Sequence, residues 1–115
     1  IMATRATYEF VSEWSPTTVI YKHHDGYPQG AAQWLKNVRT AEDFIRKNDE
    51  AEITTSHAVH GDTEYRYTVR ALPAGNSEIW VEHRYDWRSW EIVFQGSAEE
   101  FQRKYATPNK IQIGL

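Results

Sequence analysis

Over residues 63–94 the sequence alternates polar and apolar positions with a period of two, and the interruptions are short. Tyr65, Tyr67 and Val69 alternate with Glu64, Arg66, Thr68 and Arg70. Ile79, Val81, His83 and Tyr85 share one face of the next stretch, and Trp90, Ile92 and Phe94 alternate in the last. Period two sends successive side chains to opposite sides of a strand, so each stretch has one face to bury. The connections at 72–77 and 86–89 are far shorter than the dozen or more residues a parallel crossover needs, so three antiparallel strands are expected.

A similar pattern opens the chain. Ala6, Tyr8 and Phe10 alternate with Arg5, Thr7 and Glu9, and after Ser15-Pro16 the β-branched run at 17–22 reads as the second arm of a hairpin. Asp25-Gly26 is a turn signal, and Pro28 suits the first position of a helix carrying Ala31, Ala32, Trp34, Leu35 and Val38. Thr40 is a good N-cap for a second helix, with Glu42 and Asp43 in its first turn and Phe44 and Ile45 facing inward. Residues 49–62 read as a long irregular loop. Ser97 and Glu100 have capping-box spacing for a last short helix, and 110–115 reads as a tail or an edge strand. The expected fold is therefore α+β: a mostly antiparallel five-stranded sheet, one parallel contact joining the first hairpin to the last three strands, and two to three helices on one face.

The 115 residues suit a single domain over 1–115. Five Trp, seven Tyr and four Phe offset a hydrophobic share of 40%, since each aromatic buries roughly 150–250 Å². Thirteen Lys and Arg against sixteen Asp and Glu give a net charge of −3, which argues against a sequence-independent grip on nucleic acid. The absence of cysteine removes disulfides and thiolate metal sites and suits a reducing cytoplasm. No apolar run approaches the ~18 residues of a membrane span, and no export signal is evident, so neither a membrane partner nor secretion is expected.

Three segments concentrate chemistry. The first holds Lys22, His23, His24, Asp25 and Tyr27, where a strand turns into a helix. Free N–H groups at a helix start favour an anion, and Lys22 with a histidine would add donors; the plainer reading is a solvated strand end. The second holds His57, His60, Asp62 and Arg66. His57 and His60 with Asp62, completed by His23 or His24, could form a nitrogen–oxygen site suited to zinc or manganese, but they match no established signature, and no metal or other cofactor is assigned. The plainer reading is a polar strand face with cross-strand ion pairs. The third is the run around Trp87, Arg88 and Trp90, suited to cation–π contact with a partner protein, or simply to aromatic cross-strand pairs. Nucleophilic catalysis finds no GxSxG elbow, no cysteine and no glycine-rich phosphate loop.

The segments TRATYEF (4–10), IYKHHDGYPQGAAQWL (20–35) and HGDTEYRYTV (60–69) together resemble a family, without a settled activity, of small proteins encoded by bacteriophages and other mobile elements. The resemblance implies a phage or prophage gene acting in bacterial cytoplasm and assigns no catalytic residues. Accessory proteins in that setting often inhibit host defence. The expected function is thus binding: inhibition of a host defence protein, or sequestration of a small phosphorylated or nucleotide ligand. The ligand site would be formed by Arg5, Lys22, His23, His24, Asp25, Tyr27, His57, His60, Asp62 and Arg66, and a protein-facing surface by Trp87, Arg88 and Trp90. The alternative is a metal-dependent phosphoesterase or nuclease using the same histidines and acids. Self-association into a homo-oligomer is left open.

Overall fold

The computed structural model describes residues 4–48, 50–59, 61–85 and 89–106. The order of elements is β1 (Ala6–Val11), β2 (Thr18–Lys22), α1 (Pro28–Leu35), α2 (Ala41–Lys47), β3 (Glu52–Thr54), a 3-10 turn at His57–Val59, β4 (Tyr65–Ala71), β5 (Ser77–His83), β6 (Glu91–Ser97) and α3 (Ala98–Tyr105). The strands form one six-stranded sheet in the order β3-β2-β1-β4-β5-β6. Five pairings join them, and only β1 with β4 is parallel. The α+β class and the single parallel contact agree with the sequence, whereas the sixth strand does not. Glu52–Thr54 lies in the stretch read as loop and adds to β2 as a three-residue edge. Its Ile53 is 68% exposed, so this strand has no buried face to produce an alternation.

One face of the sheet carries all three helices. Ala6, Tyr8, Phe10, Ile20, Tyr67, Val69, Ile79 and Val81 join Ala31, Leu35, Phe44 and Phe101 in one buried cluster. Its centre is aromatic: Tyr8 stacks on Tyr67 with centroids 4.8 Å apart, Phe44 of α2 tilts against Tyr8 at 4.6 Å, and Phe101 of α3 meets Tyr67 edge-on at 6.2 Å. Two inward assignments need correction. Ile45 is 36% exposed, because adjacent helical residues lie about 100° apart and Phe44 takes the core position. Ile92 is 61% exposed: a bulge between Val81 and Glu82 leaves Phe94 opposite Val81 but puts Ile92 opposite Glu82, on the face without helices.

The helix ends follow the sequence closely. Thr40 accepts from Asp43 N at α2, and Ser97 and Glu100 form a reciprocal capping box at α3. The 25–30 turn is fixed by close approach. A Cβ on Gly26 would lie 2.6 Å from Ala6 Cβ, and one on Gly30 would lie 2.4 Å from the Asp25 carbonyl oxygen. Tyr67 donates its phenol to the Gly26 carbonyl, pinning the turn to the core.

Candidate binding site on the open face of the sheet

The alternation that buries Ala6, Tyr8 and Phe10 turns Thr7 and Glu9 to the other, helix-free face. Tyr21 pairs with Thr7 on one side and Glu52 on the other, and Arg66 pairs with Thr7 and with Glu82. The connection from β3 to β4, which carries His57 and Asp62, folds back over these residues and brings both side chains against β1 and β2.

The Tyr21 phenol lies 3.0 Å from each carboxylate oxygen of Asp62 and donates to them, and Arg5 Nε stands 3.0 Å from Asp62 Oδ2. Burial and the Asp62 carboxylate push the Tyr21 phenol up to about 12, so it is protonated whenever Asp62 needs its proton. His23 meets Tyr21 edge-on at 4.7 Å and contacts Glu52 Oε2 at 3.0 Å. Across β1, His57 Nε2 lies 3.1 Å from Glu9 Oε1 while Nδ1 contacts the Thr7 hydroxyl. Burial lowers the His57 pKa, outweighing the opposite pull of Glu9. A carboxylate only accepts, so neutral His57 carries its proton on Nε2, facing Glu9, and Nδ1 accepts from Thr7. On β4, Arg66 lies 3.9 Å from Glu82 and its guanidinium sits 4.0 Å over the Trp90 ring; Arg84 approaches that ring at 4.6 Å. Arg84 also donates to the carbonyls of Thr63 and Gly61, tying the connection down at its far end.

Of the residues selected from sequence, Arg5, His23, His57, Asp62 and Arg66 therefore come to one face, with Trp90 at its margin. Lys22 does not join them. It is 4% exposed on the helix side, with Nζ 4.4 Å over the Trp34 ring of α1, because it alternates with Tyr21. Asp25 has a positive φ of 58° and accepts from the Tyr27 phenol, a local bond within the turn, and His24 is exposed beside His23. His60, Trp87 and Arg88 lie outside the described residues. Sequence reasoning missed Thr7, Glu9, Tyr21, Glu52 and Glu82. The signal for Thr7 and Glu9 was present, since they occupy the polar phase of β1; Tyr21 reads as apolar and betrays nothing.

Thr7, His57 and Glu9 stand in the hydroxyl–imidazole–carboxylate order of an activated nucleophile. The Thr7 residue is fully buried, however, so its hydroxyl has no access to a substrate. Among the described residues no three His, Asp or Glu are grouped to hold a metal ion, and none of the helices is long and apolar enough to cross a membrane. No protein-family model matches this chain, and no curated protein or solved structure matches it either.

Proposed function

We propose that this domain acts by binding a protein through the open face of its sheet, as an accessory inhibitor of a host defence protein in the phage or mobile-element setting that the sequence resemblance implies. The observation that carries the reading is the charge pairing on that face. Arg5 is matched by Asp62 and Arg66 by Glu82, and beside them His23 hydrogen-bonds Glu52. A small phosphorylated ligand would have to displace these carboxylates to reach the cations. A protein surface of complementary pattern can instead extend the pairs at the rim and cover the Trp90 ring, the kind of aromatic anchor that dominates interfaces. The buried Thr7 hydroxyl and the engagement of both His57 nitrogens favour binding over catalysis.

The test compares immobilised wild-type protein with Arg66→Glu, Asp62→Arg and, on α3 away from the open face, Glu99→Lys in capture from bacterial lysate, alongside calorimetric titration with nucleotides and cyclic dinucleotides. The expected result is a specific protein kept by wild type and Glu99→Lys and lost from both open-face variants. Equal retention by all four overturns the assignment of the face. Submillimolar nucleotide binding with no captured protein overturns the protein-binding reading in favour of ligand sequestration.

A further inference from the structure

β6 is the outermost strand of the sheet, and among the described residues no strand pairs with its free edge. An unpaired edge is a template for another strand. A bulge interrupts β6 after Ile92, but Phe94, Gln95, Gly96 and Ser97 continue in regular register with Val81, Trp80, Ile79 and Glu78. That stretch holds neither charge nor proline, the devices that usually keep an edge from pairing.

The charges above this stretch select its partner. α3 lies on β5 and β6, and α1 holds its inner flank, where Gln102 donates to the Ala32 carbonyl at 2.9 Å. Glu100 and Lys104, one helical turn apart, stand exposed on the outer flank, over β6. A Cβ on Gly96 would lie 2.7 Å from Glu100 Oε1, and Lys104 Nζ is 5.9 Å from the centre of the Phe94 ring. Glu100 accepts from Ser97 N at 2.8 Å, which fixes its charge at the level of Gly96.

A two-fold axis perpendicular to the sheet keeps the helices of both copies on one side, so residues of equal phase stand opposite each other. With the axis at Gln95, Phe94 of each copy faces Gly96 of the other, and the two α3 helices run antiparallel side by side. Glu100, at the level of Gly96, then meets the second copy's Lys104, at the level of Phe94, and the pair occurs twice. An axis at Gly96 would instead set Glu100 against Glu100. Strands lie about 4.8 Å apart, so helices seated between β5 and β6 come about 10 Å apart across the axis, close to the 8–10 Å of packed helices. We propose that β6 pairs antiparallel with β6 of a second copy about a two-fold axis at Gln95, with Glu100 of each copy against Lys104 of the other. A ladder of a few residues with exposed ion pairs makes this a weak, reversible dimer. The contact is independent of the open-face reading.

The experiment is sedimentation equilibrium of the full chain from about 1 µM to 1 mM, with Lys104→Glu, Glu100→Lys and their equimolar mixture. Wild type should show a reversible monomer–dimer equilibrium, and amide exchange in 94–97 should slow as concentration rises. Each single variant sets like charges against each other at both symmetric positions and should weaken the dimer at least about tenfold. The mixture restores opposite charges at both positions and should associate about as tightly as wild type, which variants damaged in folding would not do. Should Glu100→Lys fail to fold without its capping bond, Lys104→Glu against wild type still decides. The proposal is overturned by a monomer throughout the range, by unchanged association in folded Lys104→Glu, by a mixture of folded variants that associates no better than either alone, or by protection centred on Thr7, Tyr21 and Arg66.

Discussion

Tyr21 and Asp62 are 41 residues apart in the chain, and the buried Tyr21 phenol points between the two carboxylate oxygens of Asp62, 3.0 Å from each. This bond, with Arg5 on the same carboxylate, anchors the connection between β3 and β4 to the sheet. Tyr21→Phe keeps the ring and removes only the donor, so it should cost about 1 kcal/mol. Denaturant unfolding measures that loss. Amide hydrogen exchange in 61–64 should also quicken. Unchanged exchange there would show that the connection is held by other contacts.

The same phenol sets a limit at alkaline pH. Burial raises the pKa of Tyr8 and Tyr67 well above the ordinary phenol range, and Tyr21 reaches about 12. The folded state holds these protons more tightly than the unfolded chain, whose phenols titrate near 10. Their contribution is complete below about pH 10 and is lost as pH rises from there through the folded values. Phenolate absorbance should therefore show Tyr8, Tyr21 and Tyr67 ionising only together with unfolding. Smooth titration of all seven near pH 10 in folded protein would contradict the burial of these rings.

His57 gives the opposite sign at the acid end. Its pKa is lowered, chiefly by burial, so the unfolded chain binds the proton more readily. Its contribution is complete above about pH 6.5 and declines as pH falls toward the folded value. His83 is lowered as well, also by burial, and adds to the slope. His57→Gln should lower stability at pH 7.5, and its deficit relative to wild type should shrink at pH 5.5. A constant deficit at the two pH values would mean that His57 titrates alike in folded and unfolded states.

How much of this was legible follows from which residues report their own surroundings. The strands from Tyr65 to His83 and the Ser97/Glu100 cap were readable because alternation and capping are local rules. Lys22 was drawn toward an anion site by its charge, although its position two residues from the apolar Ile20 put it in the same phase, on the helix face. The bonds from His57 to Thr7 and Glu9 span 50 and 48 residues, and no local pattern encodes them. Ile92 was misassigned because a bulge shifts the phase of β6, and an inserted residue in one strand becomes visible only beside its partner.

That phase shift yields the sharpest contrast in stability. Tyr67 is fully buried between Tyr8 and Phe101 and donates to the Gly26 carbonyl, so Tyr67→Ala removes ring packing and leaves a buried acceptor unpaired. The cost should reach about 3–5 kcal/mol, the range for large aromatic truncations in cores. Ile92, apolar and in apparent phase with Phe94, would carry a similar cost if the alternation ran unbroken. At 61% exposure it stands opposite Glu82 on the helix-free face, and Ile92→Ala should cost under about 1 kcal/mol. Phe94, opposite Val81 and packed edge-on to Phe101 at 5.4 Å and Tyr105 at 5.8 Å, should be the costly truncation in β6. Urea unfolding of the three variants decides between the two phases. If Ile92→Ala proves as damaging as Phe94→Ala, β6 runs without its bulge and Ile92 belongs to the core.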